Sequence, residues 1–264
     1  MLRAHTDFVT RATEVLRKDD TIHGLAVGGS WLTDEIDPYS DLDLILVTKE
    51  RISGDKDSML LAASKLGRLL SGFTGEHVGE PRVLICLYDA PLLHVDIKFV
   101  TLQEFHDRVE TPAILLDKAG ALEKALSVSA AKFPYPDYQW IEDRFWIWVH
   151  YALLKIGRGE YMEAFDFFGF LRMVVLGPLS HIKNGQLPRG VRKVESQLPA
   201  QDYEALRQTL PEYDRQALLR SLRSAVSLYR ELRTTLFDPS IALQGETEEK
   251  VMRYFDEIEA AGPA

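Results

Sequence analysis

Apolar positions change their rhythm near the middle of the chain. In residues 7–18, Phe8, Ala12, Val15 and Leu16 fall on one side of a helical projection, which predicts a first helix. Residues 22–27 then form a short apolar run closed by Gly28-Gly29, the pattern of a strand entering a turn. A second strand is expected over residues 41–47. A helix over residues 58–70 would carry Leu60, Leu61, Leu66 and Leu69. Residues 82–87 and 92–100 predict two further strands joined at Asp89-Ala90-Pro91, a natural hairpin.

After Phe133-Pro134-Tyr135-Pro136 the strand patterns stop. Two prolines in three residues disfavour a continuous helix and mark a boundary. Helices are expected over residues 138–156, 161–176, 199–209, 214–236 and 246–259. The fourth is the clearest: Leu218, Leu222, Ala225, Tyr229, Leu232 and Leu236 make one apolar stripe. Gly177-Pro178 should break or kink the second. Phe165, Phe167, Phe168 and Phe170, with Trp140, Phe145, Trp146, Trp148 and Tyr151, read as packing residues. The expected organisation is an α+β protein: a mixed sheet with helices in residues 1–135, then an all-helical bundle in residues 136–264.

Composition narrows the function. Hydrophobic residues make up 46% of the chain, enough for a real core. The net charge of −9 disfavours long nucleic acids and suits cations. The single cysteine, Cys86, lies in an apolar run and reads as a buried small hydrophobe. Seven histidines show no paired metal-ligand spacing. The first residues lack a long apolar run, and no stretch reaches about 18 uninterrupted apolar residues, so neither a secretory signal nor a membrane span is expected. The expectation is a soluble cytoplasmic protein with no membrane partner.

The chemistry concentrates in residues 25–47. On a strand, Asp41 and Asp43 project to one face while Leu42, Leu44 and Leu46 face the other way. Two adjacent carboxylates repel unless a cation sits between them, and a hard divalent ion serves that role. Upstream, Gly28-Gly29-Ser30, expected to lead into a helix, would offer the backbone N–H groups of that helix N-terminus, its dipole and a hydroxyl to a phosphate. Asp96, on the later apolar run, would complete a three-carboxylate site if its strand lies beside residues 41–47. It would then serve as metal ligand or as acceptor of a hydroxyl proton. Asp37-Pro38-Tyr39 reads as a turn.

Gly29-Ser30, ten intervening residues and Asp41-Leu42-Asp43, with Ser40 ahead of the first Asp, resemble the signature of the nucleotidyltransferase superfamily related to DNA polymerase β. The layout is most similar to that of the antibiotic nucleotidyltransferases, especially the lincosamide- and aminoglycoside-modifying types. The segment Gly157-Arg158-Gly159-Glu160-Tyr161 is also similar to theirs. The resemblance implies a polymerase-β-like N-terminal domain and a helical C-terminal domain. It implies transfer of a nucleoside monophosphate from an NTP, ATP being the expected one, to a hydroxyl of a small molecule, with Mg²⁺ required. Carried over, Gly29 and Ser30 would hold the triphosphate, and Asp41, Asp43 and Asp96 would bind the metal. Lys155 sits where relatives carry a basic residue reaching the phosphates. A homodimer whose adjacent protomer completes the cleft is compatible, since some relatives use one. The sequence departs from the pattern at Asp34, where the family commonly has glycine, and at Trp31, which is expected to pack under the loop.

Two rival readings remain at this level. A non-catalytic nucleotide-binding or interaction protein would have the same fold, but would not need three carboxylates. A glycosyltransferase would use Asp-x-Asp to hold a metal and a nucleotide sugar, but leaves Gly29-Ser30 unexplained.

Overall fold

A computed structural model describes residues 3–33 and 35–261, so Asp34 lies outside the described residues. The chain divides into two compact units, Met1–Phe133 and Pro134–Ala264.

The first unit is a six-stranded mixed sheet with helices on both faces. Its elements are α1 (Arg3–Arg17), β1 (Ile22–Val27), β2 (Leu42–Thr48), α2 (Lys56–Ser64), β3 (Arg68–Gly75), β4 (Glu80–Asp89), β5 (Leu93–Thr101), α3 (Leu102–Phe105), β6 (Ala113–Asp117) and α4 (Ala121–Val128). The strand order is β3-β4-β5-β2-β1-β6. Only β2 and β5 are parallel; the other neighbours are antiparallel. The strands separate two cores by strict alternation. Leu42, Leu44 and Leu46, with Val95, Ile97 and Phe99, join Phe8, Ala12 and Leu16 of α1 in the larger core. Val47, Val100 and Ala26 face the other way, onto Phe105, Leu122 and Ala125 of α3 and α4.

Several expectations are corrected here. The helix expected over residues 58–70 stops at Ser64, and Leu69 belongs to the edge strand β3. Leu61 is two-thirds exposed, and on α1 it is Val9, not Val15, that is buried. Strand β6 and the helices α3 and α4 were not signalled by the apolar pattern. Cys86 is buried on β4, and burial pushes its thiol up to about 12, which makes it inert as a nucleophile.

The second unit is all-helical: α5 (Tyr138–Gly157), α6 (Tyr161–Leu171), α7 (Gly177–Lys183), α8 (Val194–Gln197), α9 (Ala200–Arg207), α10 (Arg215–Leu236) and α11 (Gly245–Ala260). Its core joins Phe145, Trp146 and Phe168 to the stripe of α10, of which Leu218 to Leu232 are buried and Leu236 half-buried. Phe165 and Phe170 are partly exposed rather than core. Gly177-Pro178 does not end the helix. Residues Arg172–Leu176 form one π-helical turn, and α7 follows directly with the proline in its first turn. A proline lacks the N–H that an α-helical ladder needs, and widening the preceding turn absorbs that loss. Tyr161–Lys183 is long and apolar enough to cross a membrane by length and composition alone, although Glu163, Asp166 and Arg172 interrupt its apolar residues. Half of its apolar window is buried inside the protein, where Ala164, Phe168, Leu171 and Val175 fill the helical core.

Candidate metal centre

The parallel pairing of β2 with β5 sets the site. Its register puts Asp43 directly opposite Asp96. Because their strand neighbours are committed to the larger core, both carboxylates emerge on the opposite face. On that face the apolar residues of α3 and α4 cluster with Ala26, Val47 and Val100. Asp41, just ahead of β2, joins them. One carboxylate oxygen from each of Asp41, Asp43 and Asp96 lies within 4.8 Å of the others, and all three residues are half-buried. Asp37 is a turn residue, as its position suggests: its Oδ1 accepts from the Tyr39 N–H and the Ser40 hydroxyl.

Three carboxylates this close repel. Burial pushes the Asp96 carboxyl above its ordinary range. His94, with Nε2 2.9 Å from Asp96 Oδ1, opposes that rise, and the charge of Asp41 adds to it. The donor set is all hard oxygen, which fits Mg²⁺ rather than a metal seeking nitrogen or sulfur. His94 lies two residues before Asp96, on the same strand face, and was not singled out from the sequence although the two-residue period carries that signal.

The glycine corner lies at the same end of the sheet. The Gly28 N–H donates to the Asp43 carbonyl at 2.8 Å, tying the corner to β2. Gly29 has φ +61°, and a Cβ there would lie 1.9 Å from Asp43 Oδ2, so the position requires glycine twice over. Gly29, Ser30 and Trp31 form a single 3₁₀ turn, not the start of an α-helix. No helix dipole therefore contributes, and any anion held here is held by individual donors. Trp31 packs against the larger core. A further residue enters that sequence gave no sign of. Glu110, in the loop ahead of β6, accepts the Gly29 N–H on Oε1 at 2.7 Å.

Lys155 lies in the last turn of α5, in the second unit. Its ammonium is 2.8 Å from Glu160 and 3.0 Å from Glu163, and Tyr151 donates its hydroxyl to the same Glu163. The bond to Glu160, then that to Glu163, raises the proton affinity of the amine.

No family model matches the chain, and no curated protein matches it. Among solved structures, an aminoglycoside 6-adenyltransferase from Bacillus subtilis aligns over 96% of this chain and 98% of its own, at 16% identity and a TM-score of 0.42. A likeness that loose bears on neither activity nor substrate.

Proposed function

We propose that the protein transfers a nucleoside monophosphate from an NTP to a hydroxyl of a small molecule. The observation that carries this reading is the convergence of Asp41, Asp43 and Asp96 beside a glycine corner on one end of the sheet. Asp41, Asp43 and Asp96 would hold Mg²⁺, which when bound offsets charge on the transferring phosphate and its leaving group. Gly29 and Ser30 would orient the triphosphate through a backbone N–H and a hydroxyl. The acceptor hydroxyl attacks the α-phosphorus, the bond to the bridging oxygen breaks, and pyrophosphate leaves. Asp96 takes the hydroxyl proton on its carboxylate, and His94 orients that carboxylate through the bond to Oδ1.

A net charge of −9 supports a compact, cationic acceptor, such as an aminoglycoside, over a long nucleic acid. The test is a pyrophosphate-release assay with Mg²⁺, each of the four NTPs and a panel of hydroxylated acceptors. Release that depends on both NTP and acceptor supports the transferase. Tight MgATP binding with no release on any acceptor supports the non-catalytic reading instead.

A further inference from the structure

Glu110 is separated from Gly29 by 81 residues, yet its carboxylate lies against the glycine corner. The Oε1 atom that accepts the Gly29 N–H also lies 2.5 Å from where a Gly28 Cβ would stand. From the other side, Asp43 Oδ2 crowds the Cβ position of Gly29. The corner is thus walled by two carboxylates, one on β2 and one ahead of β6, the two strands that flank β1. Both glycines are needed to let these oxygens approach the backbone.

The inference rests on the nucleotidyl-transfer reading, in which the Gly29 N–H serves a phosphate. One N–H directed at a carboxylate is not available to a phosphate oxygen, and two anions on one donor repel. We propose that Glu110 is a displaceable anionic plug of the phosphate corner. Its carboxylate holds the Gly29 amide, and an entering triphosphate must push it aside. The plug keeps a backbone donor satisfied and the corner preformed. It also weakens nucleotide binding, because each triphosphate must first break a charge-assisted hydrogen bond. Glu110 is therefore an affinity-setting residue that need not touch the reacting atoms.

The test is calorimetric titration of the full chain with MgATP, comparing the natural protein with Glu110→Gln and Glu110→Ala, with a thermal melt of each. Glu110→Gln keeps the shape and an acceptor oxygen but removes the charge. Its expected effect is tighter binding by about three- to tenfold. Glu110→Ala should bind at least as tightly as Glu110→Gln. A structural clasp would show the opposite order, with affinity falling as the acceptor is lost. Unchanged or weaker binding in Glu110→Gln, with the natural protein still binding MgATP, overturns the plug and leaves the transferase reading standing. If none of the three proteins binds MgATP, the nucleotide reading fails and the plug fails with it.

Discussion

Asp43 and Asp96 are the facing pair at one register point of two parallel strands, and their backbones, not a loop, hold the two carboxylates together. Replacing either leaves the strand neighbours Leu42, Leu44, Val95 and Ile97 in their core. Asp43→Asn should therefore lower turnover by about 10²-fold or more while the fold persists. Asp96→Ala should lower turnover more than it lowers nucleotide affinity. Steady-state kinetics with circular dichroism check both; a fully active Asp43→Asn would remove Asp43 from the centre.

The same crowding of charge has a consequence for stability that needs no substrate. A divalent ion that binds only the folded cluster raises the thermal midpoint by mass action. Mg²⁺ or Mn²⁺ should shift the melt of the natural chain upward. Asp41→Asn should melt higher than the natural protein without metal, because a repulsion is relieved, and should lose most of the metal-dependent shift. Differential scanning calorimetry with and without EDTA reads both effects.

His181, on α7, is fully buried. Burial holds its imidazole below the ordinary value of 6.5, with the Arg192 backbone only partly opposing. Below that value the unfolded chain takes up a proton that the folded chain resists. Stability is thus full above pH 6.5 and declines as pH falls toward the folded value, with a slope of at most about 1.4 kcal/mol per pH unit for one proton. His181→Leu should flatten that decline in urea titrations between pH 5 and pH 7, about the range over which one histidine acts. An unchanged profile would assign the acid sensitivity elsewhere.

Glu142 on α5 is fully buried and serves four partners. Its carboxylate accepts from the Tyr229 hydroxyl, from Trp146 Nε1 at 3.3 Å, from Arg233 at 3.2 Å and from the Gln244 N–H at 2.9 Å. These partners belong to α5, to α10 and to the residue ahead of α11. Glu142→Ala would leave a half-buried guanidinium partly unpaired, although Glu248 still holds Arg233 at 2.8 Å. A loss of about 3–5 kcal/mol in chemical denaturation is expected, with Glu142→Gln losing less. A loss under about 1 kcal/mol would mean that the network is not a structural tie.

How much of this was readable from sequence depended on whether the deciding contact was local. Leu42, Leu44 and Leu46 alternate with Asp41 and Asp43, so the strand and its charged face followed from spacing alone. In the second half α5, α9, α10 and α11 lie close to the spans expected for them, α10 on the strength of its apolar stripe. Strand β3 did not, because Leu66, Leu69 and Leu70 extend the preceding helical pattern and only Gly67 interrupts it. An edge strand with little burial has no strict alternation to show. Strand β6 is five residues long, too short to announce itself. Glu110 was invisible for a different reason: a carboxylate that meets a backbone amide 81 residues away has no periodicity at all.

The parallel pairing carries a last consequence for how the centre comes into being. Asp43 lies on β2, the antiparallel partner of β1, with Asp41 just ahead of it, whereas Asp96 arrives on a strand that follows α2, β3 and β4 in the chain. A molecule lacking the β2–β5 docking would keep two of the three carboxylates together and lose the third. On the proposed reading divalent affinity becomes an assay of sheet completion, and any lesion that loosens β5, however remote from the acidic face, should first be felt as lost metal affinity.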